Sequence, residues 1–242
     1  MDRVLNRNAT FVLGFIFLFA FLGFWPNYFS TILDQTNWRF HFHGLTLISW
    51  CMLMVFQAYL IRTDNRALHR KTGKISYLLV PLVIISSILL SHFQEKPRGL
   101  SDFTIYGVGI VANLLLQFTF AYGLAIYNRH KPALHARFMI CTALPMIPPI
   151  LDRVIIFYLL PREQAGFLPQ IGGNPLYILI SSTIVDAVLI ALTIWDWKSR
   201  RRLNVFPVVL AAFVLFQSLM LMGHRWDAWR SFAGWFLDLP LS

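Results

Sequence analysis

Charged residues are scarce in this sequence. Only 13% of its 242 residues are Asp, Glu, Lys or Arg, whereas soluble domains usually carry about a quarter. No hydrophilic stretch is long enough to bury a core of its own, and both cysteines, Cys51 and Cys141, fall in apolar runs. Internal repeats, Gly-rich phosphate loops and Walker patterns are also missing. The sequence therefore excludes a soluble globular domain and gives no sign of a nucleotide-binding loop.

Long apolar runs take the place of a soluble core. Hydrophobic residues make up 57% of the chain, and a bilayer core about 30 Å thick is crossed by about 20 helical residues. The predicted spans are 9–29, 43–62, 75–92, 104–127, 136–160, 176–195 and 204–223. We therefore predict an all-α polytopic membrane helix bundle with seven transmembrane helices, forming a single domain over 1–242.

The placement of Lys and Arg predicts the orientation of the spans. Most of the 21 basic residues fall near the N-terminus and in the segments 62–74, 129–137 and 198–202. Because successive spans cross the membrane in opposite directions, all of these segments lie on the same side of it. Cytoplasmic loops carry the excess of Lys and Arg, so we expect the N-terminus inside and the C-terminus outside. The net charge of +10 then reflects topology and contact with the lipid bilayer, and we expect no nucleic-acid partner.

Two local patterns refine the predicted arrangement of helices. Pro145, Pro148 and Pro149 lie inside the fifth predicted span, where each removes an N–H donor and crowds the preceding turn. This helix should therefore bend or open near its middle. In the tail, Arg225–Leu239 spaces its large aromatic side chains mostly at three-residue intervals, which predicts a short helix on the outer membrane surface.

Four histidines fall at the predicted outer ends of the spans. His41 and His43 begin the second span, His92 ends the third and His224 ends the seventh. Neutral imidazole is a common ligand of Zn, Cu and haem iron, so these four residues are candidate ligands of a metal ion or a haem. The alternative is that they are ordinary interfacial histidines, half in water and half against apolar groups.

A second set of histidines lies on the predicted cytoplasmic side. His69 and His135 form a candidate inner metal or haem site. Each stands close to an arginine, so the alternative is that His69 and His135 anchor loops to lipid headgroups and cap helix ends.

Three charged residues fall well inside predicted spans, away from the span ends. Asp152 and Arg153 in the fifth span and Asp186 in the sixth lie about 13–15 Å deep, where a charge costs at least about 2.5–3.5 kcal/mol. Matched depths on antiparallel helices make Arg153 and Asp186 the expected ion pair. This charged centre indicates either a binding pocket or proton path, or a buried pair that fixes helix docking.

Scattered motifs over roughly residues 40–205 carry a family resemblance. They are His43-Gly44, Gln57 with Arg62, His69-Arg70-x-x-Gly73, His135-x-Arg137 and Trp195-Asp196 before a basic run. Together they resemble a bacterial family of predicted multi-spanning membrane proteins of unknown function. The resemblance implies a fold and a bacterial inner-membrane location, and it carries no established activity. A looser likeness is to b561-type membrane cytochromes, which implies haem held by histidines near both faces.

The sequence leaves three functions open, and with them the question of whether the chain is an enzyme. The first is a redox or metal-linked membrane protein built on the outer histidines, which would be an oxidoreductase. The second is a small transporter or binding protein for an unidentified small molecule that uses the central charged residues. The third is a zinc-dependent membrane hydrolase, which needs about three histidines and an acid. A membrane complex or oligomer is compatible with each.

Overall fold

Helices account for almost all of the chain that the structure describes. This computed structural model describes residues 2–160, 170–171, 174–200, 204–223 and 225–241. The helices are α1 Asp2–Phe24, α2 Trp38–Arg62, α3 Arg66–Gly73, α4 Ser76–Glu95, α5 Asp102–Tyr127, α6 Pro132–Cys141, α7 Ile147–Val154, α8 Leu176–Arg200, α9 Phe206–Gly223 and α10 Asp227–Asp238. Two short strands, β1 Gln170–Ile171 and β2 Asn174–Pro175, pair antiparallel.

Within the described residues, six helices are long and apolar enough to cross a membrane. They are Trp38–Arg62, Ser76–Arg98, Asp102–Tyr127, Pro132–Leu159, Leu176–Ser199 and Phe206–Gly223, and they coincide with the second to seventh predicted spans. The first predicted span corresponds to the shorter apolar helix Asn8–Phe24. The chain is thus an all-α protein with the character of a multi-pass membrane protein, while the seventh span and the orientation stay predictions.

Local capping and proline chemistry set several helix ends that hydrophobicity alone does not give. α1 ends at Phe24, before the predicted end at 29, because Pro26 cannot continue the helix. α2 begins early because the side chain of Asn37 accepts a hydrogen bond from the Arg39 N–H at 3.0 Å. Asn65 caps α3 in the same way, so a helix forms where we predicted only a loop.

The fifth span is interrupted, as its prolines predict. α6 ends at Cys141, a 3₁₀ turn covers Leu144–Met146, and a new helix, α7, begins at Ile147. Pro148 and Pro149 fall in the first turn of α7, where a missing N–H breaks no intrahelical bond. α7 passes into a π-helical turn at Ile155–Leu159, so it is a short helix between two irregular turns.

The contacts divide the chain into two compact units. Unit 1 comprises Met1–Asp34 and Gln117–Leu215, and unit 2 comprises Gln35–Leu116 and Phe216–Ser242. The single domain expected over 1–242 stays a prediction, and each unit is described by itself. In unit 1, α7 packs against α1 and α8. The apolar core of unit 1 joins side chains of α6, α8 and α9, including Phe138, Leu189 and Phe213.

In unit 2, α2 packs along α4, and their hydroxyls meet where Thr46 Oγ1 lies 2.8 Å from Ser86 Oγ. The helix predicted in the tail is confirmed as α10, which buries Phe236 and Leu237 and packs on α4. Beyond α10, Lys96 Nζ donates to the Leu239 carbonyl at 3.1 Å. These contacts fix the tail on unit 2, while its place on the outer membrane surface stays a prediction.

A buried ion pair links α6 to α8 in unit 1. Arg137 donates from Nη1 and Nη2 to the two carboxylate oxygens of Asp196 at 2.7 and 3.0 Å. The Arg137 and Asp196 side chains are only 2% and 1% exposed. Arg137 Nη1 also donates to Asn204 Oδ1 at 3.0 Å, and Phe206 packs over the guanidinium. Two parallel hydrogen bonds join the opposite charges in a site that excludes water, while Arg137 Nε makes no hydrogen bond with the described residues.

We expect Asp196→Asn to destabilise the protein by about 3–5 kcal/mol, since the Arg137 guanidinium stays buried without its counter-charge. Thermal unfolding of the purified protein in detergent, followed by circular dichroism, measures the change. Asp64→Asn is the matched control because it removes the same charge from the exposed pair of Asp64 with Arg66. Its unfolding temperature should stay near that of the wild type, and equal losses in both variants would contradict the assignment.

Candidate intramembrane charged site

Arg153 lies in the last turn of α7 and has no carboxylate as a hydrogen-bond partner in the described chain. Its Nη1 donates to the Pro149 carbonyl at 3.0 Å, within the same helix. Its guanidinium carbon lies 4.4 Å from the centre of the Phe24 ring of α1, a cation–π contact. Nε is buried and makes no hydrogen bond with the described residues. The guanidinium is therefore held in place but only partly satisfied.

Asp152 precedes Arg153 and faces α8. Its nearest polar neighbour there is the hydroxyl of Ser181, which is fully buried. The Tyr177 phenol, one turn earlier on α8, lies within electrostatic reach of both Asp152 and Arg153. Asp152 Oδ1 is buried and makes no hydrogen bond with the described residues. Polar side chains from α7 and α8 and one aromatic ring from α1 thus surround a charged centre in unit 1.

The predicted pair of Arg153 with Asp186 does not form. Among described residues, the contacts of Arg153 are those with Pro149 and Phe24, and its acidic neighbour is Asp152. Asp186 lies half-buried on α8 with other partners. The prediction counted residues along one continuous helix. The break at Leu144–Met146 restarts the helix as α7, so depth and facing no longer follow from that count.

The described outer histidines have separate surroundings. The His41 ring nitrogen Nε2 lies 2.7 Å from the Gln35 carbonyl. His43 Nδ1 lies 3.4 Å from the Ser86 hydroxyl. His92 is fully buried, and its ring meets Phe236 edge-on with centroids 5.3 Å apart. His224 lies outside the described residues.

These positions do not supply a metal centre from the described part of the chain. Within that part, no three His, Cys, Asp or Glu side chains lie close enough together to hold an ion. The imidazoles of a Zn or Cu site must converge within a few ångströms, and His41, His43 and His92 do not. The outer metal or haem site stays a prediction for which these residues give no support.

The two inner candidate histidines belong to different units, and each is described within its own unit. His135 of unit 1 places Nδ1 2.9 Å from the Ala125 carbonyl, which ties α6 to α5. His69 of unit 2 meets Gln57, whose amide nitrogen, turned toward α3, lies 2.6 Å from His69 Nδ1. In that orientation the Gln57 oxygen accepts from Thr72 Oγ1 at 2.7 Å. Gln57 thus anchors α3 to the end of α2, and both histidines have structural contacts.

Some residues of the family-like motifs do come together. Gln57 meets His69 and Gly73, and in the same orientation a Cβ on Gly73 would lie 3.3 Å from the Gln57 amide nitrogen. Arg137 and Asp196 form the buried pair of unit 1. Comparison of the chain with protein-family models, with curated proteins and with solved structures finds no match. The resemblance therefore stays a prediction, although its residues have clear structural roles.

Sequence reasoning missed Phe24, Tyr177 and Ser181 as parts of the charged site. Phe24 is one of 22 phenylalanines, and nothing in its neighbourhood distinguishes it. Ser181 carries a signal in hindsight, because a hydroxyl inside an apolar run often bonds to a polar group on a neighbouring helix.

The last turn of α1 can be tested separately from the charged groups. A Cβ on Gly23 would lie 2.9 Å from the Ile150 carbonyl oxygen of α7, so Gly23→Ala should push α1 and its Phe24 ring away from Arg153. We expect a lower unfolding temperature in a thermal melt. Gly14→Ala on the same helix meets nothing within 4 Å and should hold or raise the unfolding temperature. Equal behaviour of the two variants would show that the close approach at Gly23 is unimportant.

Proposed function

We propose that this chain is a multi-pass membrane protein that binds, and in that way transports or senses, a small molecule at the charged site of Asp152 and Arg153. We further propose seven spans with the N-terminus in the cytoplasm, on the placement of the basic residues. The supporting observation is an arginine inside an apolar span whose buried Nε lacks a hydrogen-bond acceptor among the described residues. Ionisable groups inside membrane-spanning helices usually line a ligand or ion path.

The contrast between two arginines of unit 1 carries this proposal. Arg137 meets Asp196 with two parallel hydrogen bonds, the arrangement expected of a pair that only holds helices together. Arg153 lies beside a carboxylate yet bonds to a backbone carbonyl instead, and Asp152 Oδ1 is left without a hydrogen bond among described residues. Both arginines leave Nε without a hydrogen bond among the described residues, but only Arg153 lacks a bonded carboxylate, and its neighbour Asp152 keeps Oδ1 unbonded. This difference favours a site that a ligand completes.

The interrupted helix supports the same conclusion. Binding sites of membrane carriers are often built where a transmembrane helix is discontinuous, because irregular backbone at that depth must line a cavity or be buried in protein. Asp152 and Arg153 lie on an eight-residue helix between a 3₁₀ turn and a π-helical turn. The redox, haem and zinc-hydrolase alternatives require histidines that converge, and the described histidines give them no such support.

The proposal requires that water reach the charged site. In protein with Cys51 and Cys141 replaced by Ser, Ser181→Cys should react with a membrane-impermeant thiosulfonate reagent, because a thiol beside Asp152 lies on the ligand path. Only a thiolate reacts, and thiolates form in contact with water.

Ile184→Cys is the matched control on the same helix, since Ile184 is 41% exposed on the protein surface and should face hydrocarbon. It should resist the reagent, although it is less buried by protein than Ser181. If Ser181→Cys stays unlabelled from both sides of the membrane, the charged site is sealed and the proposed function is wrong.

A further inference from the structure

The part of Arg153 that is not bonded indicates what the site binds. Nη1 is held by the Pro149 carbonyl, and Nε has no partner among described residues. Nε–H and one Nη2–H point in parallel from the remaining edge of a guanidinium, and this fork matches the two oxygens of a carboxylate. Resting on the proposed function, we infer that the ligand is a small carboxylate that also carries a hydrogen-bond donor, such as a hydroxy or amino acid.

Phe24 restricts how this ligand approaches. Its ring covers one face of the guanidinium at 4.4 Å, so a second flat group cannot stack there. An in-plane approach to the Nε edge stays compatible with that contact. A planar carboxylate that lies in the guanidinium plane fits this arrangement, whereas a stacked aromatic cation or a nucleobase does not.

Asp152 supplies the second half of the recognition. Its Oδ1 makes no hydrogen bond with described residues, and an ionised carboxylate accepts hydrogen bonds only. A hydroxyl or ammonium group on the ligand satisfies this oxygen. A monoanion brings one negative charge to the single Arg153 cation and matches it better than a doubly charged phosphate does. The two orphaned groups therefore select a carboxylate joined to a donor.

The inference is tested by thermal unfolding of the full-length protein in detergent without added lipid. Lactate and glycine should each raise the unfolding temperature by about 2–4 °C in a concentration-dependent manner. Lactamide, glycinamide and inorganic phosphate should leave it unchanged. A dissolved acid that acts without lipid also separates a soluble ligand from the carboxylate of a lipid headgroup.

The effect should depend on the shape of the guanidinium. Arg153→Lys keeps the charge but loses the fork, so the shift with lactate and glycine should disappear. Arg230→Gln is the control, because it removes one arginine charge from the exposed pair with Asp102 and should keep the shift.

The outcomes separate this inference from the proposed function. If the amides stabilise the wild type as strongly as the acids, and Arg153→Lys abolishes both effects, the site binds small molecules but the carboxylate inference is overturned. The inference also fails if lactate and glycine have no effect, or if their effect survives in Arg153→Lys. Labelling of Ser181→Cys then decides independently whether the proposed function stands.

Discussion

The cost of placing a charge where water is scarce shapes this protein more than any other interaction. An ionised group buried away from water must find a partner, reach water or be neutralised. Unit 1 shows two responses to this cost. Arg137 is paired with both oxygens of Asp196 and covered by Phe206. Arg153 is held by a backbone carbonyl and an aromatic ring, and no carboxylate is hydrogen-bonded to it among the described residues.

The second arrangement depends on an interrupted helix. Pro145 falls in the 3₁₀ turn, and Pro148 and Pro149 lie in the first turn of α7, where proline is tolerated. The break gives α7 its own start, and α1 and α8 pack around it. Gly23 permits the close approach of α1 because no Cβ stands between it and the Ile150 carbonyl. Prolines and one glycine thus bring Phe24 and Ser181 to the charged residues.

The apolar runs predicted most of the helices because length and composition decide whether a segment can cross a bilayer. The break in the fifth span also followed from its prolines. Some helix ends are set by a capping side chain or a single proline, such as the start of α3 and the end of α1. These ends depend on local contacts, so they could be located only in the structure.

The side-chain sites were harder to predict, since they depend on how helices rotate and pack. Asp152 and Arg153 were identified by their predicted depth. The predicted pairing of Arg153 with Asp186 was wrong, because the fifth span restarts as α7 after the 3₁₀ turn at Leu144–Met146. The expectation that His41, His43 and His92 converge assumed that helix ends on one side are neighbours. A sequence predicts the side of the membrane and the depth at which a residue lies, but it does not predict which helices are neighbours. His224 lies outside the described residues.

The central claim is that the charges of Asp152 and Arg153 serve a ligand and not the fold. It is tested most directly by replacing both together, Asp152→Leu with Arg153→Met, and measuring thermal unfolding with and without lactate. The account predicts a folded protein whose unfolding temperature lies within a few degrees of the wild type, because no buried charge is left unpaired. It also predicts that lactate no longer stabilises the protein. Loss of folding in the double variant, or stabilisation by lactate equal to that of the wild type, would contradict the claim.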